Sequence, residues 1–256
     1  MTVFSSNVKS VLSFLLGSEN TMRLMISVVS AAEAREALEG GAEILDVKNP
    51  AEGSLGAQPP RVIREIRELA SGCVEVSAAI GDMPNLPGTA ALAALGAAAC
   101  GADYIKIGLR GPRTAPEAIA LLSEVQQAVA GFRTSVIAAA YADFQRAGTI
   151  DPARLPAVAA EAGLRGCLLD TAVKDGQSLF AFMSPSRLRS FVEQAHAAGL
   201  LVGLAGALRE ADLCLVRDIG ADIVGCRSAV CLNHRRNEPL DAARVRQLRR
   251  ILVPVV

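Results

Sequence analysis

The sequence predicts an α/β protein, a (β/α)8 barrel with a short N-terminal extension, and three observations carry that prediction. From Met22 onward one unit recurs: a short apolar, β-rich run, then an Ala/Leu/Glu/Arg-rich segment with helical spacing. The phrases "GGAEILDV", "CGADYIKI", "AGLRGCLL", "AGLLVGLA" and "IGADIVGC" are the same junction used five times, in which glycine ends a helix at a left-handed cap and a buried strand begins. The strand runs are continuously apolar, as a parallel sheet covered on both faces requires.

In order, the strand Leu24–Val29 leads to a helix over Ala31–Glu39, and the first glycine junction delivers the strand Glu43–Val47. A helix over Arg61–Leu69 precedes the strand Val74–Ile80, and Pro87–Ala99 passes through the second junction into Tyr104–Leu109. Pro116–Ala130 precedes Ser135–Tyr141, and Pro152–Ala162 enters Gly166–Asp170 through the third junction. Ser186–Ala198 and Arg209–Ile219 lead into Leu201–Ala205 and Asp222–Cys226, and Asp241–Leu252 comes last. Eight strands alternating with eight helices over about 230 residues is the barrel's signature. The competitor, an open doubly wound sheet, is weakened because no Gly-x-Gly-x-x-Gly follows the first strand. No break in composition marks a second domain, so residues 23–256 are expected to form one barrel and residues 1–22 an arm. The apolar run Val11 to Leu16 vaguely resembles a secretory signal, but it is short and no clear small-residue cleavage site follows. A loose arm, or a true start at Met22, is the expectation.

Composition excludes several classes of function. With 26 cationic and 26 anionic side chains the net charge is zero, so no basic field points to nucleic acid. No apolar run approaches the roughly 18 residues of a membrane span. Scarce aromatics and the absence of tryptophan argue against a carbohydrate- or base-stacking protein. The six cysteines, Cys73, Cys100, Cys167, Cys214, Cys226 and Cys231, form no Cys-x-x-Cys pair, and only His196 and His234 could assist a metal. Buried thiols in a reducing cytoplasm are expected, with no metal and no cofactor. The expected partners are a small-molecule substrate and further copies of the chain.

The lysines locate the site. The chain has four, against 22 arginines. Apart from Lys9 in the arm they are Lys48 after strand two, Lys106 on strand four and Lys174 just past strand six. Alternate strands contribute side chains to the same layers of a barrel, and barrel active sites lie at the C-terminal strand ends. Arginine cannot replace lysine where the group must deprotonate and attack a carbonyl. Clustered ammonium groups also lower one another's pKa. Asp46, two residues before Lys48, shares its face of the strand, and Asp170 precedes Lys174 by four, so "LLDTAVKDG" repeats the logic of "ILDVKNP". The plainer alternatives are solvated lysines at loop mouths and ion pairs that hold loops. Asp82 in "AIGDMP" and Tyr141 in "AAAYADF" are further candidates, or caps of the following helices. Gly206 and Gly225 stand at the mouths of strands seven and eight, where barrels bind phosphate through backbone N–H groups, and Arg227 and Ser228 could add donors there. "KNPAEGSLGA" reads as a loop over the site. His196 is expected on the outer helical ring and His234 in a solvated loop.

"DVKNPAEGSLGA", "GDMPNLPGTAALAALGAAACGADYIKIGL", "AAAYAD", "LLDTAVKDGQSLF" and "GADIVGCRSAVC" resemble the (5-formylfuran-3-yl)methyl phosphate synthase family, over Arg23 to about Leu252. That product is also called 4-(hydroxymethyl)-2-furancarboxaldehyde phosphate. The resemblance implies a lyase acting on phosphates that condenses two glyceraldehyde 3-phosphate molecules with loss of phosphate and water, within methanofuran-type cofactor synthesis. The Ala/Arg-rich composition suits a GC-rich bacterial genome, for which the resemblance implies the related cofactor of methylotrophic bacteria. By resemblance Lys48 corresponds to the Schiff-base lysine and Lys106 to the proton acceptor, while Asp46, Asp170 and Lys174 fall on the other polar positions. The residues alone leave Lys48 and Lys174 as rival iminium partners. They also leave open a class I aldolase or sugar-phosphate isomerase on the same barrel, and a non-catalytic metabolite-binding barrel.

Overall fold

The computed structural model describes residues 22–252. The predicted arm up to Thr21, and residues 253–256, lie outside the described residues; Met22 is buried in the core.

Eight parallel strands close in sequence order: β1 (Arg23–Val28), β2 (Ile44–Val47), β3 (Glu75–Met83), β4 (Tyr104–Leu109), β5 (Ser135–Tyr141), β6 (Gly166–Asp170), β7 (Leu201–Leu204) and β8 (Ile223–Cys226), with β8 pairing back onto β1. A helix follows each: α1 (Ala31–Glu39), α2 (Pro60–Ala70), α3 (Pro87–Ala99), α4 (Ala115–Ala128), α5 (Leu155–Glu161), α6 (Pro185–Ala197), α7 (Leu213–Ile219) and α8 (Ala242–Leu252). Local chemistry starts and stops them. Ser30, Thr114 and Ser184 accept the N–H of the third helical residue of α1, α4 and α6. At all five predicted junctions a glycine, the first being Gly41 and the last Gly220, carries a positive φ that a side chain would resist.

Four elements differ from the sequence reading. A 3-10 turn (Pro152–Arg154) precedes α5, and another (Glu210–Asp212) precedes α7, where single helices were expected. A one-turn helix, Phe144–Ala147, follows β5. Finally, β3 continues through Gly81, which reads as a strand breaker, because a register shift between Ala79 and Asp82 absorbs it.

Alternation along each strand divides the core in two. Leu24, Ile26 and Val28 on β1, with Leu45 and Val47 on β2, face the helices. Met25, Ile44, Ala79, Ile137, Leu168 and Ile223 face inward and fill the barrel. Each fully buried Leu or Ile contributes about 1.5–3 kcal/mol. At the N-terminal end Glu75 binds Arg23 and accepts the Tyr104 hydroxyl at 2.9 Å, which leaves the opposite end for polar chemistry.

Candidate active site

Asp46 and Lys48 share a strand face because that face points into the barrel. Strand pairing continues past β2 through Lys48 N–H to Val28 O at 3.1 Å, so the lysine stem is fixed by the sheet. All five predicted polar residues, Asp46, Lys48, Lys106, Asp170 and Lys174, line one cavity of ≈ 180 Å³, together with Gly206, Gly225, Arg227 and Ser228.

Two of the three amines are tied to carboxylates. Lys106 Nζ lies 2.6 Å from Asp46 Oδ2, with both side chains buried, and Ser27 Oγ donates to the same oxygen at 3.1 Å. The other Asp46 oxygen, Oδ1, is buried without a hydrogen-bond partner among the described residues. Lys174 Nζ lies 2.6 Å from Asp170 Oδ1, which also accepts the Thr171 N–H at 2.8 Å. Burial would raise the Asp170 carboxyl, but Lys174, Lys48 and these hydrogen bonds outweigh it and hold it at about 2.

Lys48 is the exception. It is buried, and among the described residues no carboxylate lies within ion-pair range of its amine. Burial is the largest influence and lowers its pKa. Asp170 and Asp46 pull it up, Lys106 and Lys174 push it down, and the result is about 8 rather than the ordinary 10.5. At pH 7.5 about a quarter of such amines are neutral and nucleophilic, against roughly one in a thousand for an ordinary lysine.

Asp82 and Tyr141 stand beside the cavity rather than in its lining. The Tyr141 hydroxyl bonds Asp82 Oδ1, and Asp82 Oδ2 accepts the Ser54 N–H at 2.9 Å. Burial first, then the Asp82 charge, pushes the Tyr141 phenol well above its ordinary value, so it stays protonated as a donor. Together they hold the loop after β2. Gly53 (φ 126) packs so closely on Asp82 that a Cβ would overlap Oδ2. Ser54 Oγ lies 2.9 Å from Thr171 O and 3.3 Å from Asp170 Oδ2, and Leu55 is fully buried in the inner core. At the other side Gly206 has φ 110, and a Cβ on Gly225 would come within 2.9 Å of the Met25 methyl.

The two cationic residues of the β8 loop are placed differently. Arg227 is buried, and its guanidinium meets Glu33 through Nη1 at 2.8 Å and Nη2 at 3.2 Å, Ser27 O at 2.9 Å and Arg236 O at 2.6 Å. Arg236 and His234 also line the cavity, although the sequence reading left Arg236 unnoticed and put His234 in open solvent. His234 is exposed but not alone: Arg244 Nη1 lies 2.9 Å from its Nε2. Ser27 was missed as well, whereas Ser54 belongs to the loop "KNPAEGSLGA" expected over the site, and it bonds Thr171 O there. A hydroxyl or an arginine without a motif carries no signal in one sequence; Ser27 was findable only through its register opposite Asp46. His196 bonds Asp222 at 2.9 Å on the outer ring, as expected. Four of the six cysteines are buried.

This arrangement defines a lysine-centred (β/α)8 barrel with its polar cavity at the C-terminal strand ends. Solved structures share the fold: a 3-hexulose-6-phosphate synthase has a TM-score of 0.65 at 19% identity, covering 90% of this chain and 99% of its own. A thiamine phosphate pyrophosphorylase from Pyrococcus furiosus has a TM-score of 0.60 at 15% identity, covering 91% and 96%. A family model described as 4-HFC-P synthase matches residues 24–249, and the chain belongs to that family. The (5-formylfuran-3-yl)methyl phosphate synthase of Methanopyrus kandleri is 53% identical over 217 residues, 84% of this chain and 92% of the relative. That of Methanothermobacter thermautotrophicus is 48% identical over 233 residues, 90% and 99%.

Proposed function

We propose that the protein condenses two molecules of glyceraldehyde 3-phosphate into (5-formylfuran-3-yl)methyl phosphate, with Lys48 as the iminium-forming amine. The observation that carries the proposal is the contrast among the three amines. Lys106 and Lys174 are each bound to a carboxylate, while Lys48 lies between those pairs with its pKa near 8.

The product's carbon skeleton constrains the route. Its phosphorylated CH2 sits on a ring carbon bonded to two other ring carbons. That ring carbon corresponds to C2 of a triose phosphate, and the new carbon–carbon bond is made there. C2 is electrophilic once the aldose has isomerised to its ketose. Lys48 then condenses with the C2 ketone, releasing water, and the iminium is the better electrophile. The second triose loses a proton from C2 and phosphate from C3, giving an enol that is nucleophilic at C3. Its C3 attacks the iminium carbon, and the first triose's C1 hydroxyl closes on the ketone of the second. Elimination frees Lys48 and forms the furan, and the balance is one phosphate and two waters.

The isomerisation and the elimination both need proton transfer. By the family resemblance the Lys106–Asp46 pair, 2.6 Å apart, takes the acceptor role, while Lys174 with Asp170 holds the opposite wall. Reduction with borohydride in the presence of glyceraldehyde 3-phosphate, followed by peptide mass spectrometry, tests the assignment. The adduct is expected on Lys48, with a furan chromophore and inorganic phosphate formed in parallel without reductant. An adduct confined to Lys174 or Lys106 refutes the assignment.

A further inference from the structure

We infer that Arg236 is the guanidinium that holds a substrate phosphate in this cavity, while Arg227 is a positioning residue that fixes the Arg236 loop. The identity of the phosphate ester rests on the triose-phosphate reading above; the anion site itself rests on the two arginines.

Arg227 is the obvious candidate from sequence, since it stands at the mouth of strand eight. Four of its five N–H donors are already used: Glu33 takes the fork, Ser27 O a second Nη1 bond and Arg236 O the Nε proton. Turning this buried guanidinium toward a ligand would strand the Glu33 carboxylate without its partner. Arg236 is in the opposite condition. It lines the cavity half-buried, and its one described side-chain hydrogen bond is a long one, Nη2 to Gly53 O at 3.4 Å. Among the described residues no carboxylate comes within ion-pair distance of it. A guanidinium keeps its charge and offers five donors in a planar fork, so most of its capacity faces the cavity unspent.

The nearby carboxylates do not occupy the Arg236 fork. The carboxylates that act on Arg236 at longer range, Asp170 and Asp82, are engaged by Lys174 and Ser54 and by Ser54 and Tyr141. Lys106 is neutralised by Asp46, and Arg227 by Glu33. Among the described residues Arg236 is therefore the guanidinium of the lining with no carboxylate partner, beside a lysine that must lose its proton to react. A phosphate monoester satisfies the fork bidentately. The 2.6 Å bond from Arg227 Nε to Arg236 O anchors the loop through its backbone, so the Arg236 side chain can be changed without loosening the loop.

The test uses the full chain, inorganic phosphate as probe, and the variants Arg236→Gln and Arg236→Lys. Phosphate is expected to bind the unmodified protein and raise its Tm. In Arg236→Gln its affinity should fall on the order of tenfold to a hundredfold, the loss expected for a bidentate charge-assisted contact. Arg236→Lys should recover part of that. Without phosphate both variants should melt with the parent, and with glyceraldehyde 3-phosphate the loss should fall on KM more than on kcat. Equal phosphate affinity in parent and Arg236→Gln, or no phosphate binding by the parent, overturns the inference. Arg236-dependent phosphate binding without furan formation keeps the anion site and sinks the triose condensation. Furan formation with an unchanged KM in Arg236→Gln does the reverse.

Discussion

Replacing Lys48 with methionine should stabilise the protein at neutral pH while abolishing turnover. Lys48 has a pKa of about 8 in the fold against 10.5 ordinarily, a difference of about 2.5 pH units at roughly 1.36 kcal/mol each. The folded state therefore binds the lysine proton less tightly than the unfolded chain. Below pH 8 the charged amine costs the fold about 3 kcal/mol, and the cost is relieved as pH rises from 8 to 10.5. Methionine has a similar stem and no charge to desolvate, so at pH 7 the variant should gain up to about 3 kcal/mol. Urea denaturation of both proteins from pH 6.5 to 10.5 measures this directly, because every other titrating group is common to the two curves and cancels in their difference. The stability advantage of Lys48→Met should be constant below pH 7 and shrink above pH 8. A variant less stable than the parent at pH 7, or a difference that does not change with pH, refutes the account of Lys48 as an amine whose charged form is buried at a cost in stability.

Asp170→Asn removes the carboxylate that pulls Lys48 upward most strongly, so competitive acylation should place the Lys48 midpoint below 8; an upward move contradicts the charge arrangement. The Asp170 carboxyl, held at about 2 against 3.8, contributes about 2 kcal/mol of stability that is complete above pH 4 and lost as pH falls through 2. Acid unfolding of Asp170→Asn should lack that component. Gly53→Ala should cost more than 2 kcal/mol and most of the activity, because alanine resists φ 126 and its Cβ overlaps Asp82 Oδ2. An alanine variant with parental Tm would show that the loop after β2 adjusts freely.

The barrel was legible because its signals are repetitive and local. Five glycine junctions and eight apolar runs placed every strand; the differences are the short turns and the one-turn helix Phe144–Ala147 between elements, and the end of β3, which runs past Ile80 to Met83 through a register shift. The amines and acids were legible because a chain that otherwise uses arginine kept lysine at three strand ends. Which of those amines is reactive was not legible. That depends on which carboxylate each one touches, and Lys106 with Asp46 is a contact across 60 residues. Arg236 was hidden for the same reason: it faces the cavity only because the β8 loop folds back to Gly53, 183 residues away, with no local pattern to announce it.

The loop after β2 gives the mouth of the barrel a sidedness. Ser54 reaches from β2 to the end of β6, and Leu55 and Tyr141 sit fully buried beneath it. One half of the rim is thus stoppered, and the lining that remains belongs to β6, β7, β8, β1 and β2, with Lys106 from β4 below. For the condensation proposed above, two trioses sharing this cavity would arrive in turn, and the deeper one would not depart while the other remains. On the proposed condensation, the rate should rise with more than first-order dependence on glyceraldehyde 3-phosphate and fall at high concentration, when the outer position fills first.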